Sequence, residues 1–251
     1  MKTVLITGCS SGFGVEIAKY FLDRDWKVIA TMRTPQADIL PPSPHLRIAT
    51  LDVTDAESIR QLVDGAGPID VLVNNAGIGL LSVLEGTSMA TIRDVFETNT
   101  FGTMAMTQAV LPQFRLRREG VVVNLTSSTT LKPLPMLSVY TASKAAITAF
   151  TESLALELEP FNVRLKLVIP GRAPETAFGK NARPRMEGGV TEPYAAYANA
   201  VFANMAAASP LVTHASDVAE AVWRAATDPS CPTRLPAGAD AVALSASGAM
   251  L

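Results

Sequence analysis

Short apolar runs separated by helix-length segments restrict this chain to very few architectures. Val4–Thr7, Lys27–Thr31, Leu46–Leu51, Val71–Asn74, Val121–Leu125 and Val163–Ile169 read as strands. Gly12–Asp23, Ala56–Gly65, Met89–Arg117 and Val139–Leu158 read as helices, the third with a break expected near Pro112. The first helix would bury Val15, Ile17, Ala18, Phe21 and Leu22, and the second Ile59, Leu62 and Val63. Strands that are apolar along their length and joined through helices imply a parallel sheet covered on both faces. Right-handed crossovers make it doubly wound, with ligands expected at the carboxyl ends of the strands.

The expectation is one three-layer α/β/α domain, a Rossmann fold, over residues 1–251. A chain that is 48% hydrophobic and 18% charged can fill such a core. Pro41, Pro42 and Pro44 mark a surface loop. Residues 172–210 have weak strand pattern and carry Phe178, Tyr194, Tyr197 and Phe202, which suggests a substrate-binding lid over the sheet end.

Several classes fall away. The formal net charge is −2 with no basic block, so nucleic acid is not an expected partner. No apolar run is long enough to span a bilayer, and the opening MKTVLITG reads as a first strand and not as a secretory signal. Cys9 and Cys231 are too few for a disulfide framework, and His45 and His214 are isolated. The expectation is a reduced, cytoplasmic protein without a metal.

The first strand runs into Thr7-Gly8-Cys9-Ser10-Ser11-Gly12-Phe13-Gly14, followed at once by a helix. Gly8 permits a tight turn, Gly12 a close approach to a pyrophosphate, and Gly14 close packing of helix on sheet. The helix N-terminus offers free N–H groups to phosphates. Asp52-Val53 would end the third strand near an adenine edge, although Asp52 could instead cap the next helix in competition with Thr54 and Asp55. Asn75, Ala76 and Gly77, after Asn74, suit a loop pressed against a bound ligand or a simple turn. Where an acidic residue would meet the ribose 2′-hydroxyl of NAD stands Met32, followed by Arg33. A guanidinium suits a 2′-phosphate, so NADP(H) is favoured over NAD(H); the alternative is a solvated surface arginine.

Tyr140 and Lys144 are spaced i, i+4 and share one helix face. An ammonium near a phenol favours the phenolate. Ser127 sits just past a strand end, where a hydroxyl can polarise a carbonyl. Asn99 lies inside a helical stretch with Gly102 close behind, a choice that lowers helix propensity and so calls for a reason. A water held there would link Lys144 to solvent; the alternative is a local helix irregularity.

On these motifs the chain resembles the short-chain dehydrogenase/reductase family, from residue 1 to about residue 176. The matching pieces are Thr7–Gly14, Asp52-Val53, Asn74–Gly77, Asn99, Ser127, Tyr140, Lys144 and Pro170-Gly171. The resemblance implies a catalytic tetrad of Asn99, Ser127, Tyr140 and Lys144. In it Tyr140 is the general acid or base and Ser127 orients the carbonyl. Lys144 binds the nicotinamide ribose and tunes Tyr140, and Asn99 anchors a relay water. It also implies that Pro170 and Gly171 lie beside the nicotinamide ring, and that the chain is a homodimer or homotetramer built on the helices of Asn99 and Tyr140. Three departures stand out. Thr130 replaces a glycine common after the serine. Thr176 lies one residue further from Gly171 than the family's usual threonine. Leu235–Leu251 lacks the Asp-Gly-Gly strand of the acyl-carrier-protein ketoreductases and, like Ala30–Arg33, is nearer the steroid- and retinol-dehydrogenase branch.

The expected function is therefore an NADP(H)-dependent oxidoreductase interconverting a largely apolar ketone or aldehyde and its alcohol. Leu134, Met136, Leu137, Phe178, Tyr194, Tyr197 and Phe202 are candidate pocket walls. A 3-oxoacyl thioester reductase and a non-catalytic NADP(H)-sensing protein are the alternatives.

Overall fold

The computed structural model describes residues 1–186, 188–206 and 210–247. Seven strands form one sheet: β1 (Thr3–Ile6), β2 (Lys27–Met32), β3 (Leu46–Thr50), β4 (Val71–Asn74), β5 (Gly120–Leu125), β6 (Val163–Pro170) and β7 (Arg234–Ala237). They lie in the order β3-β2-β1-β4-β5-β6-β7, with every pairing parallel. The chain winds outward from β1 to β3 and then returns to place β4 on the other side of β1. That reversal opens a crevice at the carboxyl ends of β1 and β4, where doubly wound folds bind ligands.

The helices are α1 (Gly12–Leu22), α2 (Ala56–Asp64), α3 (Met89–Phe96), α4 (Gly102–Arg117), α5 (Ser138–Leu158), α6 (Phe178–Ala182), α7 (Ala195–Ala206), α8 (Ala215–Thr227) and α9 (Ala239–Ala246). Alternation along the strands feeds two cores. Val4 and Ile6 pack with Ile17 and Phe21 of α1 and Val218 and Val222 of α8. Leu5 faces the other way, with Leu62 of α2 and Val110 and Phe114 of α4. Each such buried side chain is worth about 1.5–3 kcal/mol. Phe21 meets Trp26 and Trp223 edge-on, both with ring centroids 5.1 Å apart, which locks α1 to α8 and fixes the direction of the α1 N-terminus.

Two expectations need correcting. A seventh strand exists where none was read. Arg234–Ala237 is short and contains Pro236, which an edge strand tolerates because one side of it needs no donors. Arg234 also forms a two-point ion pair with Glu152 of α5, at 2.6 and 3.0 Å. The second correction concerns the long helical region. Its break is not at Pro112, which stays inside α4. The break is a π-helical turn over Glu97–Phe101, and π turns concentrate at functional sites.

Residues after β6 form α6, two short 3-10 turns and α7. Ala198 and Val201 of α7 pack with Val83 and Met136, from the loops that follow β4 and β5. The segment thus rests on the carboxyl end of the sheet.

Candidate active site

The glycine loop is held from behind by Asn75. Its Nδ2 donates to the carbonyls of Thr7 and Gly8, both at 2.9 Å. In return Thr7 Oγ1 accepts from the amides of Asn75 and Ala76, at 3.0 and 2.9 Å. A side chain on Gly8 would lie 2.8 Å from Ala76 Cα, and one on Gly14 would strike the Gly8 carbonyl. Gly8 and Gly12 have φ of +75° and +59°, a region closed to most residues. Ser11 is the N-cap of α1 yet makes no side-chain capping bond. The first turn of α1, reached through Ser10, Ser11, Gly12 and Phe13, is left open to an external anion. This cradle fits the pyrophosphate of a dinucleotide.

Arg33 is exposed at the end of β2, while Met32 turns into the core. Asp52 is not a helix cap: Asp55 takes that role, accepting from Glu57 N. Asp52 accepts from the amide and hydroxyl of Thr54, at 2.9 and 2.8 Å. Burial raises its pKa, but these bonds and the charge of Arg33 outweigh that and hold it below the usual range. Val53 faces inward, where a Cβ on Gly102 would come within 2.8 Å of it. Only small residues therefore fit where the π turn enters α4.

The π turn points Asn99 at the loop after β4. Asn99 Oδ1 accepts from Ile78 N at 2.8 Å, and Nδ2 donates to Ile78 O at 2.9 Å and to Ser143 Oγ at 3.1 Å. Ser143 Oγ donates in turn to Tyr140 O at 2.7 Å. Both amide hydrogens of Asn99 are therefore spent on the chain itself. A Cβ on Gly77 would sit 3.2 Å from Asn99 Oδ1 and 3.3 Å from Lys144 Nζ, so Gly77 lets the two converge. Ser143 was missed from sequence. Its spacing from Tyr140 on α5 was a signal, but its partner lies in a distant helix.

Tyr140 and Lys144 share one face of α5, and both are buried. Burial pushes the Tyr140 phenol up to about 12, offset in part by a hydrogen bond with Ser127. Burial brings the Lys144 amine down to about 8, and its Nζ donates to Leu125 O at 3.1 Å. The expected lowering of the Tyr140 pKa by Lys144 is thus not what this arrangement produces. Desolvation governs both groups, and the ammonium is directed at the end of β5. Ser127 lies at that same end, its Oγ accepting from Thr129 N at 3.3 Å. Thr130 closes the turn behind it, donating from Oγ1 to Ser127 O at 2.7 Å.

Of the expected pocket walls, Phe178 meets Tyr140 edge-on, with centroids 5.8 Å apart. Gly79 makes room for it, since a Cβ there would lie 2.8 Å from the ring. Met136 and Tyr194 belong to the separate cluster under α7. Leu134, Tyr197 and Phe202 are exposed. Leu137 sits at the N-cap of α5. Pro170 ends β6 with Gly171 just past it, and Thr176 reaches the glycine loop, its Cβ 3.4 Å from where a Gly12 Cβ would stand. Among the described residues no group of three or more His, Cys, Asp or Glu side chains converges, and no helix is long and apolar enough to cross a membrane.

The arrangement is a dinucleotide cradle beside a buried Ser–Tyr–Lys group, and the family model described as short chain dehydrogenase matches residues 2–187. The chain belongs to the short-chain dehydrogenase family. As a short-chain dehydrogenase it is 42% identical over 184 residues to retinol dehydrogenase 8 of Bos taurus, a match covering 68% of this chain and 58% of that protein. It therefore spans less than two thirds of that relative's length. A short-chain dehydrogenase from Streptomyces avermitilis superposes with a TM-score of 0.84 at 33% identity, covering 98% of this chain and 91% of the other. The closed form of a serine dehydrogenase complexed with NADP+ superposes at 0.80 and 29% identity, covering 95% of each chain. Other solved neighbours of this short-chain dehydrogenase hold NADP or NADH.

Proposed function

We propose that this short-chain dehydrogenase is an NADP(H)-dependent carbonyl reductase or alcohol dehydrogenase acting on a largely apolar ketone or aldehyde. The observation that carries the reading is the convergence of Ser127, Tyr140 and Lys144 at the carboxyl end of β5, next to the glycine cradle. A bound nicotinamide cofactor supplies or accepts the hydride there. The chain's own residues supply the rest. Ser127 Oγ orients the carbonyl and steadies its developing charge. Tyr140 Oη delivers the proton. Lys144, charged below about pH 8 and directed at the end of β5, would hold the nicotinamide ribose. Asn99 acts as a positioning residue that ties Ile78 and α5 together, and a relay water would need its remaining lone pair.

Burial keeps the Tyr140 phenol protonated at neutral pH, the state in which it can act as the general acid of a reduction. Arg33 supports NADP(H): it is exposed just past the end of β2, where its guanidinium is open to a 2′-phosphate. The apolar wall at Phe178 and the similarity to a retinol dehydrogenase support an apolar substrate. Residues 172–210 act as the lid in this reading. The same reading sets the protein in the cytoplasm, where the free thiols of Cys9 and Cys231 stay reduced. Its proposed partner is a second copy of itself.

The test is Tyr140→Phe assayed with NADPH against a panel of apolar ketones. Turnover should fall by about 10²–10⁴-fold while NADPH affinity holds. Wild-type turnover in the variant would overturn the mechanism.

A further inference from the structure

The Pro170–Arg172 turn is gripped by two side chains that come from the far end of the sequence. Gly171 N donates to Thr213 Oγ1 at 2.9 Å. Arg172 N donates to Asp240 Oδ2 at 2.6 Å, and Arg172 O accepts from Thr213 N at 2.8 Å. The two side chains are joined: Thr213 Oγ1 lies 2.7 Å from Asp240 Oδ1 and 3.0 Å from Ala237 O. Thr213 is 1% exposed, so its hydroxyl has no water to turn to. A Cβ on Gly171 would strike the Asp240 carboxylate, and one on Gly238, which has φ of +91°, would strike Thr213. Two glycines are thus required for the grip to close.

Ordinary helix capping does not account for it. Asp240 lies in the first turn of α9, where a carboxylate normally serves its own helix. Its oxygens are spent instead on Arg172 and Thr213, across the end of β6. The gripped turn then leads to Thr176, which rests beside Gly12. Residues 170–176 therefore arch from β6 to the glycine cradle, fixed at one end by Thr213 and Asp240.

We propose that Thr213 and Asp240 are positioning residues that set the Pro170–Arg172 main chain against the nicotinamide end of the cofactor. The inference rests on the proposed reading of the site as a nicotinamide-dependent one. Hydride transfer requires reacting atoms held at about 3–3.5 Å, so a main-chain wall held by a carboxylate and a buried hydroxyl serves the chemistry directly.

The test separates the two ends of the cofactor. Binding of NADPH and of 2′-phospho-ADP-ribose, which lacks the nicotinamide ring, is measured by calorimetry on the full chain. Thr213→Val and Asp240→Asn should reduce the preference for NADPH over the fragment by about tenfold, the worth of one hydrogen bond to a charged group. They should lower turnover in parallel, and Thr213→Ser should restore both. Equal weakening of the two ligands, or an unchanged preference, would overturn the proposal while leaving the cofactor reading intact. Failure of the wild-type protein to bind NADPH would overturn the cofactor reading and the proposal with it.

Discussion

The ring of Phe178 stands edge-on to the ring of Tyr140, with centroids 5.8 Å apart and planes at 61°. Phe178 is itself 43% exposed, so it covers the buried tyrosine with a side chain that still meets solvent. It also fills the space that Gly79 leaves open. In the proposed reading an aromatic edge in this place would serve both as a lid on the proton donor and as a wall for an apolar substrate.

Phe178→Ala should therefore raise KM for bulky apolar ketones by about tenfold, since removing a phenyl wall forfeits part of the roughly 1.5–3 kcal/mol that burial of such a group supplies. For the smallest ketones KM should change little. Steady-state kinetics on a graded ketone series checks this. An unchanged KM across the whole series would remove Phe178 from the substrate pocket.

Lys144 is buried and donates to a carbonyl, not to a carboxylate. Its pKa falls from 10.5 to about 8 through burial. A lysine lowered in the folded state binds fewer protons than in the unfolded chain between about pH 8 and 10.5. Its contribution to stability therefore rises with pH across that window and is least favourable below it. Lys144→Met should abolish turnover and, at pH 7, stabilise the fold by about 1–3 kcal/mol. A lowered Tm at pH 7 would contradict the burial argument. In the wild-type protein the reductive rate should decline as pH rises through about 8, where Lys144 loses its charge and Tyr140 keeps its proton.

Much of this arrangement was legible from residue order. Apolar runs sufficed for the five central strands because these are buried in the sheet, and the edge strand β3 still carried Leu46, Ile48 and Ala49. Arg234–Ala237 escaped because an edge strand of this length, with Pro236 in it, carries no periodic signal. The π turn had a local signature in Asn99 and Gly102, yet the eye goes to Pro112, the stronger breaker on paper. Loss of one main-chain bond at Pro112 is absorbed by a helix that continues to Arg117. Asn99 by contrast is drawn toward Ile78 by two hydrogen bonds. Asn75, Ser143, Thr213 and Asp240 have roles set by partners far away in sequence, and no spacing rule reports those. Environment was the other blind spot: the Tyr140–Lys144 spacing suggested mutual tuning, whereas burial dominates both pKa values.

Asn75 gives a prediction of that long-range kind. Its Nδ2 satisfies two carbonyls of the glycine loop at once. Asn75→Asp replaces the donor by a third acceptor facing Thr7 and Gly8. The loss should be about 2–4 kcal/mol of stability, more than for a simple deletion, because repulsion and unmet acceptors add. NADPH affinity should fall by more than tenfold, and Asn75→Ala should be milder in both. Chemical denaturation and NADPH titration report the two effects. Equal behaviour of the Asp and Ala variants would show that donation by Asn75 is not what holds the loop.

The proposed preference for NADP(H) turns on Arg33, whose charge also helps to hold the nearby Asp52 carboxyl below its usual range. Arg33→Asp removes a partner for a 2′-phosphate and sets a second carboxylate near the first. The Kd for NADPH should rise by about 10–100-fold and that for NADH should fall or hold. Parallel titrations with both cofactors decide it. Tighter binding of NADH by the wild-type protein would remove the role given to Arg33.

If the chain assembles with copies of itself, as proposed, the helices that build the site offer a face for it. Phe101, Met104, Leu111, Phe150 and Leu154 line a groove of about 380 Å³ between α4 and α5, and Phe101 is 52% exposed. A second copy laid across this face would bury those side chains and brace the π turn, since Phe101 is its last residue. Phe101→Glu puts a charge into the groove, which such an interface does not tolerate without a partner. Sedimentation should show the wild-type chain as a dimer or tetramer and the variant shifted to a smaller species, with turnover reduced as the Asn99 turn loses its support. A wild-type monomer, or a variant that assembles as before, would place any self-association on another face.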